Sequence, residues 1–294
     1  MLYYNGISYK DVKLRNFGKS LMYFKKYLKG KKLKNYVALV TCNRVELYTD
    51  IPLKISGFKQ KKDRKSILHL FKVAAGIDSL IVGENEIAVQ VKQAYERAKK
   101  ERHCYGGLAL VFDRAIKTAK KIRSKTKINH GKTSLASISV ETVIKKYKPK
   151  NVLVIGSGML AAKIAKALSR KNVDEIILSN RHFKRAKDLA KKIKGKADKL
   201  DNLKKLLETA NVVFSATSCP LPVVYNKDVP AGKRIIFVDL AVPNDVDNKV
   251  DKMREIETIR LDHFKKIINK NKKEKKKEIR KAEKIINSEV DRVV

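Results

Sequence analysis

Val152-Leu-Val-Ile155 is an uninterrupted apolar run, and Gly156-Ser157-Gly158-Met159-Leu160-Ala161 follows it at once, leading into an Ala/Lys/Ile pattern that continues to Leu168. No other stretch narrows the possible folds so far. A short strand that is apolar on both faces belongs in a parallel sheet. G-x-G-x-x-A between such a strand and a helix is the dinucleotide fingerprint in its required context. The glycines let the backbone approach a pyrophosphate, and the helix N-terminus holds it. A bare GxG carries little weight; strand, GxGxxA and helix together carry much more.

The next apolar run, Glu175 to Leu178, ends in Ser179-Asn180-Arg181, with Lys184 and Arg185 close behind. A site for NAD usually places Asp or Glu here, to bind the ribose 2′-hydroxyl. A cation in that place suits the 2′-phosphate of NADP instead, so NADPH is the expected cofactor. β-α alternation continues with helices over Phe183–Ile193 and Leu203–Leu207 and strands over Val212–Ser215 and Ile235–Leu240. Ser215 and Thr217 stand at a strand's carboxyl end, where open parallel sheets bind ligands. The expected cofactor contacts are Gly156, Ser157, Gly158, Met159, Leu160, Ala161, Ser179, Asn180, Arg181, Lys184, Ser215 and Thr217.

The amino-terminal part reads differently. Leu2–Ser8 is a strand, Ser20–Leu28 a helix with Leu21, Phe24 and Leu28 on one face, and two strands flank Thr41-Cys42-Asn43-Arg44. This β-α-β-β order predicts a small α+β domain. A thiol beside a guanidinium has a lowered pKa and becomes nucleophilic; alternatively, the planar fork of Arg44 clamps a substrate carboxylate. A buried cysteine next to a surface arginine is the plainer alternative. Ser66 is placed to cap a helix running to Ala75, on which His69 is either structural or a proton donor and acceptor. Gly83-Glu84-Asn85-Glu86 opens a long helix, where acidic residues also favour the macrodipole.

At 294 residues and 43% hydrophobic content the chain has material for two cores. No apolar run nears the roughly 18 residues of a membrane span, and Met1 is not followed by a signal-peptide pattern. Three cysteines, none in a CxxC pair, make neither a zinc site nor a disulfide frame and suit a reducing cytosol; the expected metal set is none. The formal charge of +39 attracts polyanions, or reflects a lysine-rich proteome. The basic residues Arg114, Lys117, Lys120, Lys121 and Arg123 line one helix face, either as a phosphate-binding ridge or as a solvated surface. After Leu261, Asn269–Glu278 has no apolar residue, which suggests a solvent crossing or a hinge. Ile279, Ala282, Ile285, Ile286, Val290 and Val293 then form an apolar helical stripe that must bury itself on this chain or on a copy.

Thr41-Cys42-Asn43-Arg44, His69-Leu-Phe-Lys-Val-Ala-Ala-Gly-Ile-Asp-Ser79-Leu, Gly83-Glu84, Gln90-Val-Lys, Asn180-Arg181, Ser215-Ala-Thr217 and Asp239-Leu-Ala-Val-Pro243 occur in this order. Together they resemble glutamyl-tRNA reductase from about Gly6 to about Val250. The resemblance implies an α/β chain with four parts: an α+β catalytic domain (1–130), a connecting helix (131–148), a Rossmann-like NADPH domain (149–250) and a long C-terminal helix (251–294). It implies reduction of glutamyl-tRNA to glutamate-1-semialdehyde with NADPH in the cytoplasm, the first step of tetrapyrrole synthesis from glutamate. It makes Cys42 the nucleophile that forms a thioester and His69 the aid to protonation. Thr41, Asn43, Arg44, Ser79, Glu84, Asn85, Glu86 and Gln90 fall on the glutamate pocket. Glutamyl-tRNA is the implied nucleic-acid partner and glutamate-1-semialdehyde aminomutase the implied protein partner.

The chemistry of the residues is compatible. Oxygen donation makes an ester carbonyl a poor hydride acceptor, and exchange for sulfur weakens that donation. The sequence departs from the family at Asn85-Glu86, usually Pro-Gln, and at Tyr9, commonly His. The family also adds a helical dimerisation domain, so 251–294 is expected to be a truncated dimerisation region, with the Ile279–Val293 stripe as the candidate for a homodimer. Two other classes compete: a shikimate-dehydrogenase-like NADP oxidoreductase, which needs no cysteine, and a non-catalytic RNA-binding relic, which binds no cofactor.

Overall fold

The computed structural model describes residues 1–11, 14–41, 43–130 and 134–293. It forms two units, Met1–Ser134 with Ile268–Val294, and Leu135–Ile267.

The first unit has a four-stranded antiparallel sheet of β1 (Tyr3–Ser8), β2 (Tyr36–Val40), β3 (Arg44–Thr49) and β4 (Lys59–Lys62), in the order β2-β3-β1-β4. Helix α1 (Leu14–Lys29) separates β1 from β2; α2 (Asp63–Ala74), α3 (Glu86–Lys100) and α4 (Gly106–Lys125) follow the sheet. Helix α2 begins at Asp63, so Ser66 is not its cap; Ser66 is fully buried in the first turns.

The second unit begins with α5 (Leu135–Tyr147), which lies within the range of the expected connecting helix and packs on α6 (Met159–Leu168). Residues 131–133, where that helix was expected to start, lie outside the described residues. The strands are β5 (Asn151–Ile155), β6 (Glu175–Asn180), β7 (Lys196–Lys199), β8 (Val212–Ser215), β9 (Ile235–Asp239) and β10 (Ile256–Arg260), interleaved with α7 (Phe183–Ile193) and α8 (Leu203–Thr209). They make one parallel sheet in the order β10-β9-β8-β5-β6-β7. That is the doubly wound dinucleotide-binding order, with its switch point between β5 and β8.

The carboxyl-terminal part corrects two expectations. Residues 251–294 are not one long helix: Ile256–Arg260 is the edge strand β10, and α9 (Lys265–Glu274) and α10 (Lys276–Val290) follow. Nor is the apolar stripe left for a second copy. Ala282, Ile286 and Val290 are 0% exposed within the first unit's own core, among Leu70, Phe112 and Ile122. The buried Ile286 and Val290 side chains each contribute roughly 1.5–3 kcal/mol. That outweighs the exposed Arg64–Asp291 pair at 2.7 Å, whose kind is worth about 0–1 kcal/mol.

Candidate active site

Arg44, Glu46 and Tyr48 alternate along β3 and therefore share one face, and each is 1% exposed or less. Glu46 gathers the others. Its Oε1 accepts from Arg44 Nη1 at 2.7 Å and lies 2.9 Å from His69 Nε2; its Oε2 accepts from the Tyr48 hydroxyl at 2.8 Å. His69 comes from the middle of α2, with its ring against Tyr4 at 4.4 Å between centroids. Lys61, on the edge strand β4, places Nζ 2.8 Å from His69 Nδ1 and 4.7 Å over the Tyr4 ring. A lysine ammonium only donates. Nδ1 is then the acceptor, and the ring proton sits on Nε2, donated to Glu46.

Burial raises the Glu46 carboxyl, but the Arg44 guanidinium and His69, with the Tyr48 hydroxyl, outweigh it and bring the carboxyl down to about 2. Glu46 therefore stays ionised, in keeping with the rule that buried charges are paired. Burial lowers the Lys61 ammonium, partly offset by Asp78 and Glu46. Burial and Asp78 push the Tyr9 hydroxyl up to about 12.

Cys42 lies outside the described residues, while its neighbours are well tied. Thr41 Oγ1 accepts from the amides of Asn43 and Arg44, both at 3.1 Å, and the Thr41 amide donates to the Arg44 carbonyl at 2.9 Å. The Asn43 carbonyl accepts from the Tyr9 amide at 2.9 Å, and the Tyr9 hydroxyl donates to the Ser79 carbonyl at 3.1 Å. Arg44 Nη2 donates to the Asp78 carbonyl, and Nη1 lies 3.7 Å from its carboxylate. Thr41, Asn43, Arg44, His69 and Ser79 are thus linked in one site. Arg44 is not an open fork: its charge is spent on Glu46 and Asp78. The Ser79 hydroxyl is buried and has no partner among the described residues. Glu84 and Asn85 lie just before α3, Glu86 is its first residue and Gln90 lies in its second turn; Asn85 is exposed and the other three half-buried.

In the second unit, Gly156 has φ +118, and a Cβ there would lie 2.7 Å from the Ala216 carbonyl oxygen. This glycine makes the close strand-to-helix turn. At Gly158, the residue before α6, a Cβ would meet nothing within 4 Å. That open cradle at a helix N-terminus fits a pyrophosphate. Arg181 is exposed just past β6, with Nη2 3.6 Å from Cys219 Sγ, and Asn180 accepts from the His182 amide at 2.8 Å. No carboxylate ends this strand, so the residues fit NADPH.

Three expected cofactor contacts are corrected, because Ala161, Ser179 and Ser215 are 0% exposed. Ala161 packs beneath the glycine turn. The Ser215 hydroxyl donates to Asp245 at 2.6 Å, and Asp245 also accepts from the Thr217 amide at 2.8 Å and from its hydroxyl. Asp245 thereby sets the loop after β8. On α4, Arg114 and Lys121 are held by Glu289 at 3.1 and 2.7 Å, and Arg123 Nη2 donates to the Ala74 carbonyl at 3.4 Å. Lys117 and Lys120 remain exposed on that face.

Sequence reasoning missed Glu46, Lys61, Asp78 and Asp245. For Glu46 there was a signal: Arg44, Glu46 and Tyr48 alternate with the apolar Val45 and Leu47.

Comparison with known proteins divides at the same place. Residues 6–126 match the family model "Glutamyl-tRNAGlu reductase, N-terminal domain", and residues 137–267 match "Shikimate / quinate 5-dehydrogenase". The shikimate-dehydrogenase-like alternative therefore describes the nucleotide-binding unit and not the part that carries Cys42. The chain is 36% identical to a glutamyl-tRNA reductase of Methanococcus maripaludis over 273 residues, covering 89% of this chain and 71% of that protein. It is 37% identical to one of Methanocaldococcus jannaschii over 271 residues, covering 88% and 69%. The solved glutamyl-tRNA reductase of Methanopyrus kandleri superposes with a TM-score of 0.53 at 32% identity, over 99% of this chain and 79% of that one.

Proposed function

The chain belongs to the glutamyl-tRNA reductase family, a family of oxidoreductases, and from that premise we propose that it reduces glutamyl-tRNA to glutamate-1-semialdehyde with NADPH through a thioester on Cys42. The observation that carries this reading is the buried network in which one carboxylate, Glu46, joins Arg44, two residues after Cys42, to His69. The Cys42 thiolate attacks the glutamyl ester carbonyl. The C–S bond forms as the bond to the ribose oxygen of the tRNA breaks, and that oxygen takes a proton. NADPH, when bound, supplies the hydride that reduces the thioester carbonyl. Departure of the sulfur as thiolate leaves the aldehyde, so each turnover uses one NADPH and one proton and frees one tRNA.

In this reading His69 assists protonation, with Glu46 and Lys61 fixing the ring. Arg44 is a positioning residue that ties Glu46 to the Asp78–Ser79 backbone, and the buried Ser79 hydroxyl, without a partner among the described residues, is the group that would turn to the glutamyl group. Gly156, Gly158 and Arg181 receive the cofactor. The +39 charge supports binding of the tRNA phosphates. Cys104 and Cys219 are free thiols, which supports a cytoplasmic setting, as does the need for a reduced Cys42. No described helix is long and apolar enough to cross a membrane. The aldehyde passes to a glutamate-1-semialdehyde aminomutase.

The test is incubation with glutamyl-tRNA, with and without NADPH. Aldehyde should form only with NADPH, and without it tRNA should still be released. Cys42→Ser should abolish both; aldehyde formation by that variant would overturn the reading.

A further inference from the structure

Asn269–Glu278 contains no apolar residue, yet Asn271 and Lys275 are only 8% and 7% exposed. They stand between Ile268 and Ile279 on a line that continues through Ala282, Ile286 and Val290. One ammonium group therefore enters the interior along a helical face that is otherwise mostly apolar. Lys275 Nζ donates to the carbonyl of Val82 at 2.9 Å and to that of Ile128 at 2.6 Å. These carbonyls belong to two loops in close contact: Gly83 has φ +82, and any Cβ there would run into the Ile128 carbonyl. The same part of the chain grips the Ile128 loop once more and also holds α2, which leads into the other loop. Glu278 accepts from the Lys127 amide at 2.7 Å, and Glu283 accepts from Lys72 Nζ at 2.9 Å. The Lys72 carbonyl in turn accepts the amides of Ile77 and Asp78.

A buried ammonium is costly unless its N–H groups find acceptors. Burial lowers this one to about 8, and a neutral amine would still have two N–H groups for two carbonyls. An apolar side chain of similar length would fill the same space without that cost. What the lysine adds is a fixed spacing between two backbone loops.

We propose that Lys275 is a positioning residue for the substrate: from the C-terminal helices it fixes loop 76–84, which carries Ser79 and Glu84, in the form that receives the glutamyl group. The proposal rests on the reading of Ser79 and Glu84 as glutamate-pocket residues.

Lys275→Met in the full chain tests it, beside Ile286→Val as a control that weakens the same helix packing away from the loop. Lys275→Met should raise KM for glutamyl-tRNA about tenfold while kcat stays within about twofold. The change should be equal in tRNA release without NADPH and in aldehyde formation with it. Ile286→Val should lower the melting temperature and leave KM alone, because lost stability removes active enzyme without altering the site. An unchanged KM in Lys275→Met, or an equal rise in Ile286→Val, overturns the proposal. Ser79→Ala separates the two levels. If it also leaves KM unchanged, the reading of the loop fails; if it raises KM and Lys275→Met does not, only the role of Lys275 fails. Should Lys275→Met not fold, hydrogen exchange on the Cys42→Ser chain with glutamyl-tRNA decides. Joint protection of 81–84 and 271–279 supports the proposal, and protection of the loop alone overturns it.

Discussion

Arg44 and His69 meet on one oxygen of Glu46, at 2.7 and 2.9 Å. Removing that oxygen's charge leaves a guanidinium buried to 1% exposure with only the more exposed Asp78 beside it. Breaking a buried pair from one side typically costs about 3–5 kcal/mol, whereas replacing both partners with apolar groups is often neutral. Glu46→Gln and Arg44→Met should each destabilise the chain by about that much in urea titration, and Arg44→Met/Glu46→Leu should recover most of it. Additive losses in the double variant would show that the two groups are not coupled.

The same carboxylate sets an acid limit. Its ordinary value is 4.5, and in the fold it lies near 2. A depressed carboxyl contributes stability that is fully present above the unfolded value and is lost as pH falls through the folded one. Stability should therefore drop between about pH 4.5 and pH 2, by on the order of 3 kcal/mol from this group. The comparison is denaturant midpoints of the parent and Arg44→Met/Glu46→Leu across that window; the double variant should show a shallower fall.

Two glycines of one motif should fail differently. Gly156→Ala forces a side chain onto φ +118 and against the Ala216 carbonyl, a loss on the order of 3 kcal/mol of stability. Gly158→Ala meets neither obstacle: φ is −73 and the space before it is open. Its melting temperature should match the parent, while NADPH binding, followed by nicotinamide fluorescence, should weaken by about tenfold or more, roughly 1.4 kcal/mol. Unchanged binding would place the pyrophosphate elsewhere.

The two glycines also mark how far the sequence could be read. Strand, glycine turn and helix are local, so their hydrophobic pattern gives the parallel sheet and its cofactor edge directly. Glu46 was harder. Alternation along β3 separates two faces, but β3 lies inside the order β2-β3-β1-β4, and only the tertiary packing buries the charged face as well. Lys275 was harder still. Its polar surroundings read as a solvent crossing, although Asn271, Lys275 and Ile279 keep the four-residue spacing of one helix face. Ser179 and Ser215 misled for the opposite reason: a strand's carboxyl end approaches ligand, but a particular hydroxyl there can turn inward, as Ser215 does toward Asp245.

Arg181 is the residue proposed to distinguish the two nicotinamide cofactors. It is exposed just past the end of β6, at the position where a carboxylate would favour a ribose hydroxyl, with Nη2 3.6 Å from Cys219 Sγ. The 2′-phosphate of NADPH would gain a charge-assisted, bidentate contact there; NADH would gain none. Arg181→Ala should therefore raise KM for NADPH by about ten- to a hundredfold and leave KM for NADH nearly unchanged, with kcat for either little altered. Arg181→Lys should recover only part of the loss, since an ammonium keeps the charge without the planar fork. The measurement is steady-state aldehyde formation at saturating glutamyl-tRNA with each cofactor. An equal loss for NADPH and NADH would show that Arg181 supports the fold of the loop rather than the phosphate.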